Sequence, residues 1–210
     1  MHRHLTAACL LFATVLLPGC GLLRGGAQID EPVNLIAVLP IERAEVSSPT
    51  SSEEQPRMEP DAEKVVTAQI YAVLSASPKW RFVPDLTVSQ SLGKLPPGGD
   101  LATRAIALGK AVGADAVLCG TLSRFVERVG TEYGARQPAA VAFTLQLVSV
   151  SSGKTLWTDS FDQQQQPLSE NLLNWWQFWR GGPKWFTATE FARIGIERLL
   201  DDLAAKLGID

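Results

Sequence analysis

Residues 100–129 read DLATRAIALGKAVGADAVLCGTLSRFVERV, a stretch that predicts a helix leading directly into a strand. Asp100 is a good N-cap residue for the segment LATRAIALGKAV, and Gly113 suits the position just after a helix end. The residues from Ala114 onward form an apolar, strand-like run. Cys119 lies in this run, so we expect it to be a small buried hydrophobic residue rather than a reactive thiol.

The chain before this stretch adds a strand and a helix. NLIAVLPI (residues 34–41) is a continuous apolar run, which is typical of a central buried strand. The Ser-, Glu- and Pro-rich segment at 42–60 has almost nothing to bury and predicts a mobile loop in which Glu42 is solvated. Asp61 is then expected to cap a helix over residues 62–75, where apolar side chains recur at helical spacing. Trp80–Pro84 is a short strand candidate, and residues 85–92 could form one or two helical turns.

The chain after this stretch predicts a hairpin and a closing helix. PAAVAFTLQLVSV (residues 138–150) alternates apolar and polar residues, and the dipeptide Ser152-Gly153 turns it into KTLWTDSFD. Residues 187–208 show the spacing of a long amphipathic helix. The order of elements predicts a single α/β domain at 33–210, with a mixed β-sheet and helices packed on it. Trp80 and Trp157 lie in predicted strands and are expected in its core.

The first 32 residues predict export and anchoring. Residues 1–19 combine Arg3 with an apolar run too short to span a bilayer, which is typical of a signal peptide. The run ends in LPGC, which resembles a bacterial lipobox, so Cys20 is predicted to carry lipid and residues 20–32 to form a tether. Gly21 in place of Asp favours the outer membrane. The alternative is a plain secretory signal that happens to contain a cysteine.

The residues that most often carry chemistry are scarce in the predicted mature chain. Both histidines lie in the signal peptide, and Cys119 is the thiol that remains, so histidine- and cysteine-based catalytic or metal sites are not expected. Asp159 and Asp162 are three apart, on opposite faces of a strand, which disfavours a shared acid/base site. We therefore predict no enzyme, cofactor or metal. A net charge of −3 without a basic run argues against nucleic acid.

Several segments together are similar to a known family. LIAVLPI, LGKAVGADAVLCGTLSRF, LQLVSVSSGKTLWTDSFD and the final helix resemble, in order and spacing, the TolB amino-terminal-like, CsgG-like and LpoB-like group of bacterial envelope proteins. The resemblance implies an α/β domain, frequently on a lipoprotein, that acts through protein contacts. Members serve as secretion-pore subunits, synthase activators or assembly factors. The loop at 42–60 lacks the alternation of a pore strand, and the segment 163–186 lies outside the shared pattern.

That segment, 163–186, is rich in tryptophan. Residues 170–180 predict a helix with Leu172 and three tryptophans on one face. Three readings stay open: packing on the domain's own sheet, docking at a bilayer interface, or binding a partner or a second copy. The candidate membrane- or partner-binding residues are Trp175, Trp176, Trp179, Arg180, Lys184 and Trp185.

The sequence as a whole predicts an outer-membrane lipoprotein that binds other envelope proteins in envelope or secretion-system assembly. The membrane is reached through the lipid anchor, and a homo-oligomer is possible. One alternative is an activator of peptidoglycan synthases. Another, from a different class, is a hydrolase with a Ser/Lys or carboxylate site.

Overall fold

Strands and helices both occur in the part of the chain that the computed structural model describes, namely residues 28–44, 58–95, 98–165 and 185–209. The elements are β1 (Ile36–Val38), β2 (Glu42–Arg43), α1 (Ala62–Ser75), α2 (Asp85–Leu92), α3 (Leu101–Val112), β3 (Ala116–Val126), β4 (Val129–Thr131), β5 (Gly134–Gln137), β6 (Ala140–Ser149), β7 (Thr155–Gln164) and α4 (Ala188–Leu207). The predicted α/β class with a mixed sheet is confirmed.

A five-stranded sheet lies at the centre, in the order β1-β3-β6-β7, with β2 beside β1 along the same edge of β3. β1 and β2 run parallel to β3, whereas β3, β6 and β7 are antiparallel. The predicted strand at 34–41 is therefore interrupted. Pro40 has no N–H to give to a ladder, and the next amide, of Ile41, donates instead to the hydroxyl of Thr67 at 3.0 Å.

One face of the sheet is covered by α1 and α4. Their apolar sides meet the inward residues of β3, β6 and β7. Trp157 of β7 and Trp80, in the connection between α1 and α2, belong to this cluster and are core residues as predicted. Phe161 contacts Phe143 and Phe191, with ring centroids 5.6 and 5.4 Å apart. Within the strand predicted at 80–84, only Phe82 pairs with the sheet, through a single-residue bridge to Ile36.

The opposite face is covered by α2 and α3 over β1 and β3. Val88, Leu108, Val117 and Cys119 belong to this second apolar cluster. Gly109 brings α3 close to the sheet, because a Cβ there would lie 2.2 Å from a methyl carbon of Val150. Cys119 is fully buried, as predicted, and burial raises the pKa of its thiol to about 12.

Of the two aspartates predicted to cap helices, Asp100 does so and Asp61 does not. The carboxylate of Asp100 accepts the amide N–H of Thr103 at 2.9 Å, and Gly113 ends α3 in the left-handed conformation with φ 70°. Asp61 precedes α1 but makes no side-chain cap. Its φ is 57°, and its carboxylate instead pairs with Lys64 at 2.7 Å. The predicted cap at Asp61 is therefore wrong.

Two element boundaries and one hairpin also differ from the prediction. Glu42 and Arg43 form β2 rather than the start of a loop, and Glu42 binds Arg104 instead of being solvated. Gln163 and Gln164 pair with β6, so β7 runs into the segment expected to be an insert. The hairpin of β4 and β5 was not predicted at all. The rest of the 42–60 loop lies outside the described residues, apart from positions 44 and 58–60.

Candidate interaction surfaces at the two ends of the domain

The predicted site residues fall largely outside the described part of the chain. Cys20 and the set Trp175, Trp176, Trp179, Arg180 and Lys184 are not among the described residues. Trp185 is described and half-buried. Its backbone N–H donates to the carbonyl of Glu132 at 2.7 Å, and its carbonyl accepts from the guanidinium of Arg128. These two bonds fix Trp185 beside the β4–β5 hairpin.

A polar arrangement around the start of α4 completes this end of the domain, which we call the hairpin end. The amide of Phe186, a core residue, donates to the side-chain carbonyl of Gln165 at 2.8 Å. Thr187 and Glu190 form a capping box for α4. Both carboxylate oxygens of Glu127 accept from the amide of Ala188 at 3.1 Å. A carboxylate beside a helix N-terminus is electrostatically favourable, so the junction is firmly positioned.

The β4–β5 hairpin extends from this end and has no extensive contact with another helix or strand of the described residues. All three residues of β4 are exposed. Three large hydrophobic side chains are exposed in the described chain, and two of them are here: Val129 at 47% and Tyr133 at 80%, with Leu86 the third. Arg136 is exposed beside them. Sequence reasoning missed this surface because VGTEYGARQ has neither apolar alternation nor a run of apolar residues.

The opposite end of the domain, which we call the tether end, holds the first described residues. The carboxylate of Glu31 accepts hydrogen bonds from three serine hydroxyls on the β6–β7 turn: Ser149, Ser151 at 2.6 Å and Ser152 at 3.1 Å. These bonds hold the pKa of Glu31 below its ordinary value of 4.5, and the bond from Ser149 has the largest effect.

Backbone contacts extend the attachment of this tether segment. The amide of Ile29 donates to the carbonyl of Lys206, in the last turn of α4, at 3.0 Å. The amides of Asn34 and Leu35 donate to one carboxylate oxygen of Asp115 at 2.8 and 2.9 Å. The chain is thus bound to the domain from residue 29 onward.

Several titratable groups of the described residues are engaged in structural contacts. Asp162 pairs with Arg124, and the indole N–H of Trp157 donates to Asp202 at 2.8 Å. Asp159 and Asp162 oppose Leu145 and Ala142 of β6, one inward and one outward, as the strand spacing predicted. Within these residues no cluster of three or more potential metal ligands occurs. Nor does any described helix have the length and hydropathy to cross a bilayer.

Comparison with known proteins gives one match to a family. The model described as "Peptidoglycan-synthase activator LpoB" matches residues 61–162, somewhat less than half of the chain. That range runs from the residue before α1 to near the end of β7. The description is of a regulatory activator rather than an enzyme, in agreement with the prediction of a non-enzymatic protein. No match is found among curated protein sequences.

Solved structures give more distant likenesses. The "PelC dodecamer from Paraburkholderia phytofirmans" is 15% identical, covers 85% of this chain and 93% of that chain, and has a TM-score of 0.47. The "LpoB C-terminal domain from Salmonella enterica" is 20% identical, with coverages of 68% and 87% and a TM-score of 0.42. "Lipoprotein GNA1162 from Neisseria meningitidis" is 20% identical, with coverages of 62% and 82% and a TM-score of 0.44.

At these identities and TM-scores the solved structures say nothing about the function of this chain. The LpoB-like part of the predicted resemblance is supported by the family match, whereas its TolB-like and CsgG-like parts stay predictions, as does a homo-oligomer. Over residues 61–162, the chain is similar to the family of peptidoglycan-synthase activators named after LpoB.

Proposed function

We propose that the protein is an outer-membrane lipoprotein, anchored through Cys20, that binds a peptidoglycan synthase in the periplasm and activates it. The observation that carries this proposal is the family match over residues 61–162, which includes most of the sheet and three of the four helices among the described residues. It favours the synthase activator over the more general role in envelope or secretion-system assembly. Activation here is binding of one protein to another, with the chemistry left to the synthase.

The contacts of the described residues fit a binding protein. The thiol of Cys119 is buried, Asp162 is paired with Arg124, and Asp202 holds Trp157. In contrast, exposed apolar side chains occur on an ordered hairpin, a combination typical of protein contact surfaces.

The test of activation uses the full-length lipoprotein and the peptidoglycan synthases of the same cell. Each synthase is purified in detergent, and the rate of glycan polymerisation from lipid-linked precursor is measured with and without the lipoprotein. We expect a several-fold increase in rate for one synthase, saturating with the lipoprotein concentration. Unchanged rates for every synthase would contradict the proposal.

The anchor is tested separately. Cys20→Ala should abolish the mass increase caused by acylation and remove the protein from the outer-membrane fraction. Cys119→Ala is the matched control, since that thiol is buried and should leave both properties unchanged. An acylated Cys20→Ala variant would show that the anchor lies elsewhere.

The tryptophan-rich segment is a further proposed contact region. Its tryptophans pack in the domain's own core, dock at a bilayer interface, or bind a partner. Replacing Trp175, Trp176 and Trp179 by Ser in a soluble form of the protein that lacks the lipid on Cys20 distinguishes these alternatives. Loss of cooperative unfolding would assign these side chains to the core. An intact fold with reduced vesicle binding would assign them to the membrane, and an intact fold with reduced synthase binding to the partner.

A further inference from the structure

A cavity of about 420 Å³ lies at the outer edge of β1, between the two helical layers of the domain. Among the described residues, its walls come from α1 on one face of the sheet, from Asp85 at the start of α2 on the other, and from Pro40 and Ile41 just after β1. In open α/β sheets, ligands bind outside the carboxyl ends of the parallel strands, where the connections leave toward opposite faces. The volume is within the range of about 300–1,000 Å³ that is typical of ligand sites.

The inner wall of this cavity is apolar and covers the edge of β1. The hydroxyl of Tyr71 donates to the carbonyl of Val38 at 3.4 Å, so its ring lies along this edge. Phe82, whose ring centroid is 6.1 Å from that of Tyr71, covers the preceding part of the edge through its bridge to Ile36. Ala68 lies one helical turn before Tyr71, and its short side chain leaves the space beside the ring unfilled. The cavity can therefore receive a side chain but not an added β-strand.

The charges around the cavity include one carboxylate without a counter-ion. Glu63 pairs with Arg43 at 3.0 Å, and Lys64 pairs with Asp61 at 2.7 Å. Asp85 also lines the cavity, and it makes no ion pair within the part of the chain that the structure describes. The charges at the mouth of the cavity consequently sum to a net negative value.

This free carboxylate acts on the aromatic wall. Burial, together with the negative charge of Asp85, raises the pKa of the Tyr71 hydroxyl above its ordinary value of 10.0. A cation placed between the ring and the carboxylate is attracted by both. An ammonium group is strongly hydrated and would lose water against the apolar wall, whereas a guanidinium group is planar, more weakly hydrated and stacks on aromatic faces.

We propose that this cavity binds an arginine side chain of a separate protein. The guanidinium stacks on the ring of Tyr71 and pairs with Asp85, and the methylene groups lie against Ile41 and Ala68. Leu86, the residue after Asp85, is 69% exposed and extends the apolar surface beyond the cavity. The residues that flank the bound arginine are therefore expected to be apolar.

The first experiment measures the chemistry of the ligand. The amide resonances of Ala68 and Tyr71 are followed by NMR in the full-length lipoprotein in detergent micelles, during titration with the capped tripeptide leucine-arginine-leucine. We expect saturable shifts, and more than tenfold weaker binding when citrulline, which has a similar shape without the charge, replaces the arginine. Equal binding of the two peptides would overturn the proposal. Tighter binding of free arginine than of the peptide would also overturn it, by assigning the cavity to a small molecule.

The second experiment locates the contact with matched variants. Asp85→Asn should bind the arginine peptide several-fold more weakly, whereas Asp30→Asn, the same change at an exposed position of the tether end, should bind as the wild type does. Ala68→Leu should fill the cavity and abolish binding, and Ala72→Leu, at an exposed position of the same helix outside the cavity, should not. Cooperative unfolding is expected for all four. Wild-type affinity of either cavity variant would overturn the proposal.

This proposal and the proposed function fail in different ways. The peptide binds without a synthase, so absence of activation would leave the cavity site intact. Absence of any saturable response to the arginine peptide would reject the cavity site and leave activation intact. Sedimentation of the wild type and of Ala68→Leu tests the remaining occupant. Self-association that the variant abolishes would assign the cavity to a second copy and overturn its assignment to a separate protein.

Discussion

Gly195 lies in the middle of α4, directly above the ring of Phe161. A Cβ at this position would be 2.6 Å from the nearest ring carbon. The missing side chain therefore allows α4 to approach β7 closely enough for Phe161 and Phe191 to meet edge to face at 5.4 Å. Glycine is normally unfavourable within a helix, so its presence here reflects packing rather than backbone conformation.

Gly195→Ala is expected to lower the free energy of unfolding. Alanine would gain about 1 kcal/mol in helix propensity, but overpacking against an aromatic ring costs about 1–3 kcal/mol. Chemical denaturation of the variant and the wild type measures the difference. Gly93→Ala is the matched control, because its Cβ would meet only one atom, at 3.9 Å, and it should be neutral or slightly stabilising. Equal stability of the Gly195 variant and the wild type would contradict the packing argument.

Cys119 should be chemically silent in the folded protein. Burial raises the pKa of its thiol to about 12, and its side chain is fully inaccessible. Because the thiolate is the reactive form, iodoacetamide at pH 8 is expected to leave it unmodified in the native state and to alkylate it completely in denaturant. Mass spectrometry measures both. Tyr133→Cys, on the exposed hairpin, is the control that should react in the native state.

At the scale of elements, the two aspartates that precede α1 and α3 make different contacts. Asp100 accepts the amide of Thr103, whereas Asp61 binds Lys64 on the surface of its helix. Only the first satisfies one of the amide groups left free at a helix start.

Asp100→Ala and Asp61→Asn are therefore expected to differ in stability. The first removes a cap and should cost about 1 kcal/mol. The second removes only an exposed ion pair, because asparagine tolerates the left-handed φ of 57° at this position, and should change stability by less than about 0.5 kcal/mol. Thermal unfolding of both variants tests this pair of expectations. An equal loss for Asp61→Asn would show that this carboxylate has a role that its contacts do not reveal.

The elements that local sequence signals specify were predicted, and those that depend on distant contacts were not. The cap at Asp100 and the glycine at position 113 predict α3 and the start of β3. The alternation of apolar and polar residues predicts the β6–β7 hairpin. β2 could not be predicted, because Glu42 and Arg43 become a strand through pairing with Thr121 and Leu122. The residues of the β4–β5 hairpin show no alternation of apolar and polar side chains from which strands could be predicted. The Trp185 contacts with Arg128 and Glu132 join residues more than fifty positions apart, which no local pattern encodes.

At the scale of the whole molecule, the tether is attached to the domain by a carboxylate whose charge depends on pH. Hydrogen bonds from the β6–β7 turn favour the ionised form of Glu31, so its pKa in the folded protein lies below the ordinary value of 4.5. A lowered pKa contributes stability that is fully present above the unfolded pKa and is lost as the pH falls through the folded pKa.

Glu31→Gln should consequently be less stable than the wild type at neutral pH, and the difference should shrink once the pH falls below about 4.5. Unfolding free energies measured from pH 7 to pH 3 test the sign of this dependence. Lys154→Gln, on the same turn, is the control and should change the curve only slightly. A difference that grows toward acidic pH would contradict the assigned contact.

The parallel pairing of β1 with β3 also determines the order in which the sheet can form. Ile36 pairs with Ala116, so this contact closes a loop of roughly 80 residues and carries a larger entropy cost than a hairpin does. β6 and β7 are joined by a short turn, and β3 and β6 by the β4–β5 region. The antiparallel ribbon is therefore expected to fold first and β1 to join it after the rate-limiting step. Val38→Ala should then accelerate unfolding with little effect on the folding rate, whereas Leu145→Ala should slow folding.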